Sequence, residues 1–234
     1  MKIIARALGA EDGIPGFIAH PARVERGPAL LIAHHHAGVA GHLKAAACEF
    51  AELGFTTVVP DLFSLVGFSG SGDPQKVTTD GQFLQSIDKA WRYLVAREDV
   101  DTARVGVVGY CMGGRLGIHF VAKTPGVRAF VGYYPSVRDE PPSELRPRHP
   151  NDAAREIKCP SLIIFGGNDH VSPVPVQERL WESFRQNGQP LEWHFFSPGG
   201  HGFALADGNC YDPRLARLAW PLVADFVGRE INGQ

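Results

Sequence analysis

The chain has 234 residues, 44% of them hydrophobic and 21% charged, with a formal net charge of −2. That is the balance of an ordinary globular chain long enough for one sizeable core, and its near-neutral charge supplies no broad field to gather nucleic acid or anionic lipid. No apolar run reaches membrane-spanning length, and Arg6, Glu11 and Asp12 interrupt the opening residues before a signal-peptide core develops; a cytoplasmic monomer or homodimer without nucleic-acid or membrane partners is expected.

The first segments, KIIARAL and IPGFIAH, read as an antiparallel hairpin or edge pair because no helix-length stretch separates them. Six short runs rich in β-branched residues then read as strands: Leu30–His34, Thr56–Pro60, Arg104–Gly109, Ala129–Tyr134, Ser161–Phe165 and Glu192–Phe196. Interleaved with them, Ala40–Leu53, Gln82–Arg97, Gly113–Lys123, Val174–Asn187 and Pro213–Arg229 carry apolar residues at three- and four-residue spacing, which predicts helices packed on one face. Strand and helix alternating in this way predict a single α/β domain over residues 1–234, with a mostly parallel sheet and helices on both faces.

Two connections resist either assignment. Ser64–Thr79 carries Gly67, Gly70, Gly72 and Pro74, and Val137–Asn151 carries four prolines. Long connections of this kind in an open α/β fold are expected to rim a ligand site. The four cysteines, Cys48, Cys111, Cys159 and Cys210, form no C-x-x-C pair and are read as reduced thiols.

Cys111 stands apart from the other three. It lies in Gly109-Tyr110-Cys111-Met112-Gly113-Gly114, directly after the strand RVGVVG and directly before the amphipathic RLGIHFVAK. This is the nucleophile-elbow pattern of the α/β-hydrolase fold with cysteine in the usual serine position. A sharp strand-to-helix turn needs small neighbours on both sides, and a thiol at a helix N-terminus has its thiolate favoured by unpaired N–H groups. The bland reading of Cys111 is a small buried filler, which does not account for the strand before it and the helix after it.

An elbow calls for an acid and then a histidine later in the chain, each after a strand. Asp169 follows SLIIF in a Gly166-Gly167-Asn168 turn, and His201 follows EWHFF in Ser197-Pro198-Gly199-Gly200. His201 is the expected general base and acid, because imidazole titrates near neutrality; Asp169 is expected to hold its tautomer. Taken singly, Asp169 reads equally well as a turn former. For a developing oxyanion the expected donors are the backbone N–H groups of Met112 and of His36, in the loop after LLIAH.

His34, His35 and His36 raise the question of a metal. Adjacent side chains of an extended segment point to alternate sides, and no Glu-x-x-His set accompanies them, so no metal is expected there.

With these residues in place the sequence resembles the dienelactone hydrolase family, also called carboxymethylenebutenolidases. The resemblance rests on LLIAHHHAGV, TTVVPDLF, VGVVGYCMGGR, FVGYYP, the GGNDHVSP loop and GGHGFA, in the family's order. It implies a cysteine–histidine–aspartate triad at Cys111, His201 and Asp169, a small-molecule ester or lactone as partner, and no cofactor. Two departures stand out. The residue matching a family glutamate that interacts with the thiol is His35, which becomes a candidate thiol tuner or pocket residue. The family's substrate-binding arginines have no counterparts at Leu205 or in SGSGDPQKVTTD, where Lys76 is the lone cation; Arg115, Arg138 and Phe203 are further candidate substrate contacts.

The expected function is hydrolysis of a small ester or lactone through a Cys111 thioester. The alternatives are a non-catalytic ligand-binding or sensing protein on the same fold, and acyl transfer to an acceptor other than water.

Overall fold

The computed structural model describes residues 1–22, 25–68 and 72–233; Gly70 of the first glycine-rich connection lies outside them. In chain order the elements are β1 (Ile3–Leu8), β2 (Gly16–Pro21), β3 (Gly27–Ala33), α1 (Gly41–Glu52), β4 (Thr56–Pro60), α2 (Leu62–Leu65), α3 (Asp80–Val95), β5 (Val100–Tyr110), α4 (Met112–Lys123), β6 (Phe130–Tyr133), α5 (Pro150–Ala154), β7 (Ser161–Asn168), α6 (Val174–Arg185), β8 (Leu191–Gly200) and α7 (Pro213–Val227). The strands form one sheet in the order β1-β2-β4-β3-β5-β6-β7-β8.

From β3 to β8 all neighbours are parallel, while β1 pairs antiparallel with β2 and β2 with β4, as the short N-terminal segments require. Every residue of β3, β4 and β6 is buried, which explains why these strands are continuous apolar runs rather than alternating ones. The covering helices lie on both faces. On one, Phe50 of α1 meets Trp220 of α7 with ring centroids 4.8 Å apart; on the other, Trp91 of α3 meets Phe120 of α4 at 5.8 Å. No helix among the described residues is long and apolar enough to cross a membrane.

Three differences from the sequence reading bear on the site. First, Gly166–Asn168 and Ser197–Gly200, read as turns, are strand: β7 and β8 stay paired as far as Asn168 and Gly200. The glycines permit it, since a Cβ at Gly166 would sit 2.2 Å from the Gly199 carbonyl oxygen. Asp169 and His201 therefore follow directly on paired strands rather than hanging on loops. Second, the short α2 and α5 are too brief to show periodicity; α2 exists because the Asp61 carboxylate caps the N–H groups of Phe63 and Ser64. Third, α3 begins at Asp80, two residues before the apolar pattern, held by a capping box between Thr79 and Gln82.

Asp80 then pins the two irregular connections together. Its carboxylate, 4% exposed, takes Arg115 of α4 at 2.5 Å and faces Arg146 at 3.4 Å. Arg146 in turn donates to the carbonyls of Gln75 and Thr78, so both connections are tied over the end of α4.

Candidate active site

Cys111 stands between β5 and α4 with φ 53° and ψ −112°, a conformation that costs a non-glycine residue energy and is retained because the surroundings over-determine it. Its N–H donates to the Tyr133 carbonyl and its carbonyl accepts from Arg115 and Ser136, each at 3.0 Å. The flanking glycines are required by close approach: a Cβ at Gly113 would lie 2.1 Å from the Ala33 carbonyl oxygen, and one at Gly109 would lie 2.4 Å from that of Gly113. The sulfur is thus held at the N-terminus of α4.

The three distant side chains meet there. His201 Nε2 lies 3.0 Å from Cys111 Sγ, and His201 Nδ1 lies 2.8 and 3.0 Å from the two Asp169 oxygens. Asp169 is itself fixed, since its Oδ1 accepts the N–H groups of Val171 and Ser172 at 2.8 Å. Tyr134, forced to φ 36°, sets its ring against that of His201 at 5.5 Å.

Burial by itself would raise the thiol pKa and lower that of the imidazole. Hydrogen bonds reverse both: those from His201 and His36, with the Met112 N–H, bring Cys111 down to about 6, and those to Asp169 and the sulfur bring His201 up to about 9. Both shifts favour the thiolate–imidazolium form of the pair over neutral thiol and imidazole.

The three consecutive histidines divide their roles. His34 is a buried strut: its Nδ1–H donates to the His35 carbonyl at 2.6 Å and its Nε2 accepts from Leu62 N–H at 3.0 Å. Of the three, His36 is the imidazole that faces the thiol, and that interaction raises its pKa. His35 points elsewhere, stacking on His42 at 4.7 Å, so the thiol contact considered for His35 falls to its neighbour. Successive side chains alternate in direction where the chain leaves β3, and a shift of one residue decides which ring meets the sulfur.

Above the thiol opens a cavity of about 690 Å³ walled by both irregular connections. Lys76, Arg115 and Arg138 line it, as does Leu205. Phe203 does not: it is fully buried between Tyr134 and Phe196, because a ring at that position completes the packing under His201. Sequence reasoning missed Arg146, Arg148 and His170 as lining residues. The proline-rich connection gave no period from which to place the two arginines. The acidic lining groups are Asp73 and Glu140, so cations predominate. All four cysteines are free.

This architecture has counterparts. A structure from Klebsiella pneumoniae superposes with a TM-score of 0.88 over 98% of this chain and all of the other, at 22% identity, and a dienelactone hydrolase-like promiscuous phosphotriesterase from metagenomic libraries gives 0.79 over 98% and 99% at 18% identity. These likenesses concern the fold, an α/β-hydrolase type with its sheet order and crossovers. In sequence, the carboxymethylenebutenolidase of Pseudomonas putida is 29% identical over 212 residues, 86% of this chain and 85% of that protein. The model of the dienelactone hydrolase family matches residues 14–231, and over that span runs every element from the end of the first hairpin turn to α7, so the chain belongs to the dienelactone hydrolase family.

Proposed function

We propose that the protein hydrolyses a small ester or lactone through a thioester on Cys111, and that a carboxylate-bearing substrate is preferred. The observation that carries this reading is the chain Cys111 Sγ, His201, Asp169, with steps of 3.0 and 2.8 Å, at the floor of an arginine-lined cavity.

In the first half-reaction the Cys111 thiolate attacks the carbonyl carbon. The oxyanion that forms is met by the N–H groups of Met112 and His36. Collapse breaks the acyl C–O bond, and His201 Nε2 delivers its proton to the departing oxygen. In the second half the now neutral His201 takes a proton from water, hydroxide adds to the thioester, and the thiolate leaves to restore the ion pair. Asp169 keeps the Nδ1 proton in place throughout. Relatives named for a lactone bearing a carboxymethylene group supply one candidate substrate class. Arg146 and Arg148, together with Arg115, Arg138 and Lys76, offer the counter-charge for its carboxylate.

The test compares the parent with Cys111→Ala on a neutral aryl ester and on an unsaturated lactone acid, with circular dichroism to confirm folding. Turnover by the parent, loss of about 10³-fold or more in the variant, and a mass increase of the acyl group on intact parent are expected. A folded variant with undiminished rate, or a parent inert on the whole panel, would overturn the proposal.

A further inference from the structure

A second cluster of reactive side chains lies outside the cavity. Among the described residues, one ligand atom from each of His35, His42 and Asp207 lies within 4.8 Å of the other two. None of the three lines the cavity above Cys111. They come from separate places: the end of the β3 segment, the second residue of α1, and the loop that follows His201.

The polar atoms of this cluster are poorly served. His35 is 2% exposed, and its Nε2 has no hydrogen-bond partner. The His42 side chain is 7% exposed; its Nδ1 stands 2.6 Å from Asp207 Oδ1 without hydrogen-bond alignment, and its Nε2 is also unpartnered. Buried imidazole nitrogens left in this way cost free energy, which a bound cation would offset. Two imidazoles and one carboxylate, with room for water, make a donor set that suits zinc-like ions rather than calcium or magnesium.

We propose that His35, His42 and Asp207 form a binding site for one divalent cation of the zinc class, which clamps the loop bearing His36 to the loop that follows His201. Of the three adjacent histidines only His35 takes part. The other two ligands come from elsewhere in the chain.

Binding requires two small adjustments. Ligand atoms around a tetrahedral zinc stand about 3.3 Å apart, so Asp207, half exposed, must swing away from His42, from 2.6 Å now, by about 0.7 Å. The Ala37 N–H to His35 Nδ1 bond, already long at 3.2 Å, must give way as the His35 proton moves to Nδ1 to free Nε2 for the ion. A bound cation therefore leaves a mark on the Ala37 amide.

Chelator-treated, folded protein is titrated with Co²⁺ and Zn²⁺, using the parent, Cys111→Ser, Asp207→Asn and His42→Gln. Because Cys111 with its two histidines is a rival site, the cobalt spectrum discriminates: one ion per chain without thiolate-to-cobalt charge transfer is expected, and Cys111→Ser should bind equally well. Affinity should fall by about tenfold or more in Asp207→Asn and His42→Gln. At a hundredfold excess over the parent Kd, Zn²⁺ should raise the Tm of the parent and of Cys111→Ser by about 5–10 °C and that of Asp207→Asn by no more than about half as much. Failure of the folded parent to retain an ion, a thiolate band that vanishes in Cys111→Ser, or undiminished affinity in Asp207→Asn would each overturn the site. Asp207 is at the surface, so its variant keeps the test informative even if His42→Gln folds poorly.

Discussion

His201 Nε2 stands 3.0 Å from Cys111 Sγ while the other ring nitrogen, Nδ1, is held by Asp169, so one imidazole links a sulfur and a carboxylate. The thiol is brought down to about 6 and the imidazole up to about 9, shifts that favour the ion pair between those limits. For stability the two shifts oppose each other. The raised His201 contributes stability present below about 6.5 that is lost as pH rises through about 9, and the lowered Cys111 contributes stability present above about 9 that is lost as pH falls through about 6. Their slopes cancel between those limits, so this pair shows in reactivity rather than in Tm.

Alkylation of Cys111 by a neutral haloacetamide should follow thiolate content, with a midpoint near pH 6 in the parent. Replacing His36 by glutamine removes one hydrogen bond to the sulfur and should move the midpoint upward, toward the ordinary thiol range. Replacing His35 should leave it unchanged, because that ring faces His42 instead. Equal midpoints for the parent and His36→Gln would remove His36 from thiol activation.

Asp169→Asn should keep the ring near its position and lose the charge that raises the His201 pKa. We expect kcat/KM to fall by about 10²–10⁴, with the alkylation midpoint displaced upward. Hydrolysis within a factor of about two of the parent would show that the carboxylate does not serve the imidazole.

Arg146→Met tests the charge preference of the cavity. This arginine lines it while facing Asp80 at 3.4 Å and is partly buried. KM for a carboxylate-bearing ester should rise about tenfold, the equivalent of one well-placed charged hydrogen bond, while KM for a neutral ester of similar size should hold steady. Arg115→Met is the less informative variant: it strips the 2.5 Å partner from buried Asp80 and should cost about 3–5 kcal/mol in stability. Parallel KM changes for both esters would point to a structural role for Arg146.

Acid should destabilise the fold through histidines held neutral. Burial lowers His34 and His119 to about 4 and His35 to about 3. A depressed folded pKa means the stability is fully present above the unfolded value near 6.5 and is lost as pH falls toward the folded one, up to about 3 kcal/mol for fully buried His34. Tm should therefore be level above pH 7 and decline from about 6.5 to 4. His119, whose Nε2 has no partner, can be replaced by leucine; the variant should take up about one proton fewer on unfolding at pH 5. An unchanged slope would exclude His119 as a contributor.

The contiguous features of this protein were legible in its sequence. A strand, Gly109, Cys111, Gly113 and a helix lie within one stretch of chain, so the elbow can be read from local sterics, and the Asp169 and His201 positions follow from strand order. The parallel sheet was legible for the same reason, since apolar period and run length are local quantities. What the tertiary structure decided depends on backbone direction at single residues and on segments far apart in the chain. His36 rather than His35 meets the sulfur because side chains alternate as the chain leaves β3. Arg146 reaches the cavity because Asp80 and the carbonyls of Gln75 and Thr78 hold it there, and His42 finds Asp207 across 165 residues of sequence. No local propensity encodes such meetings; they arise when the sheet and its crossovers bring distant loops to one edge.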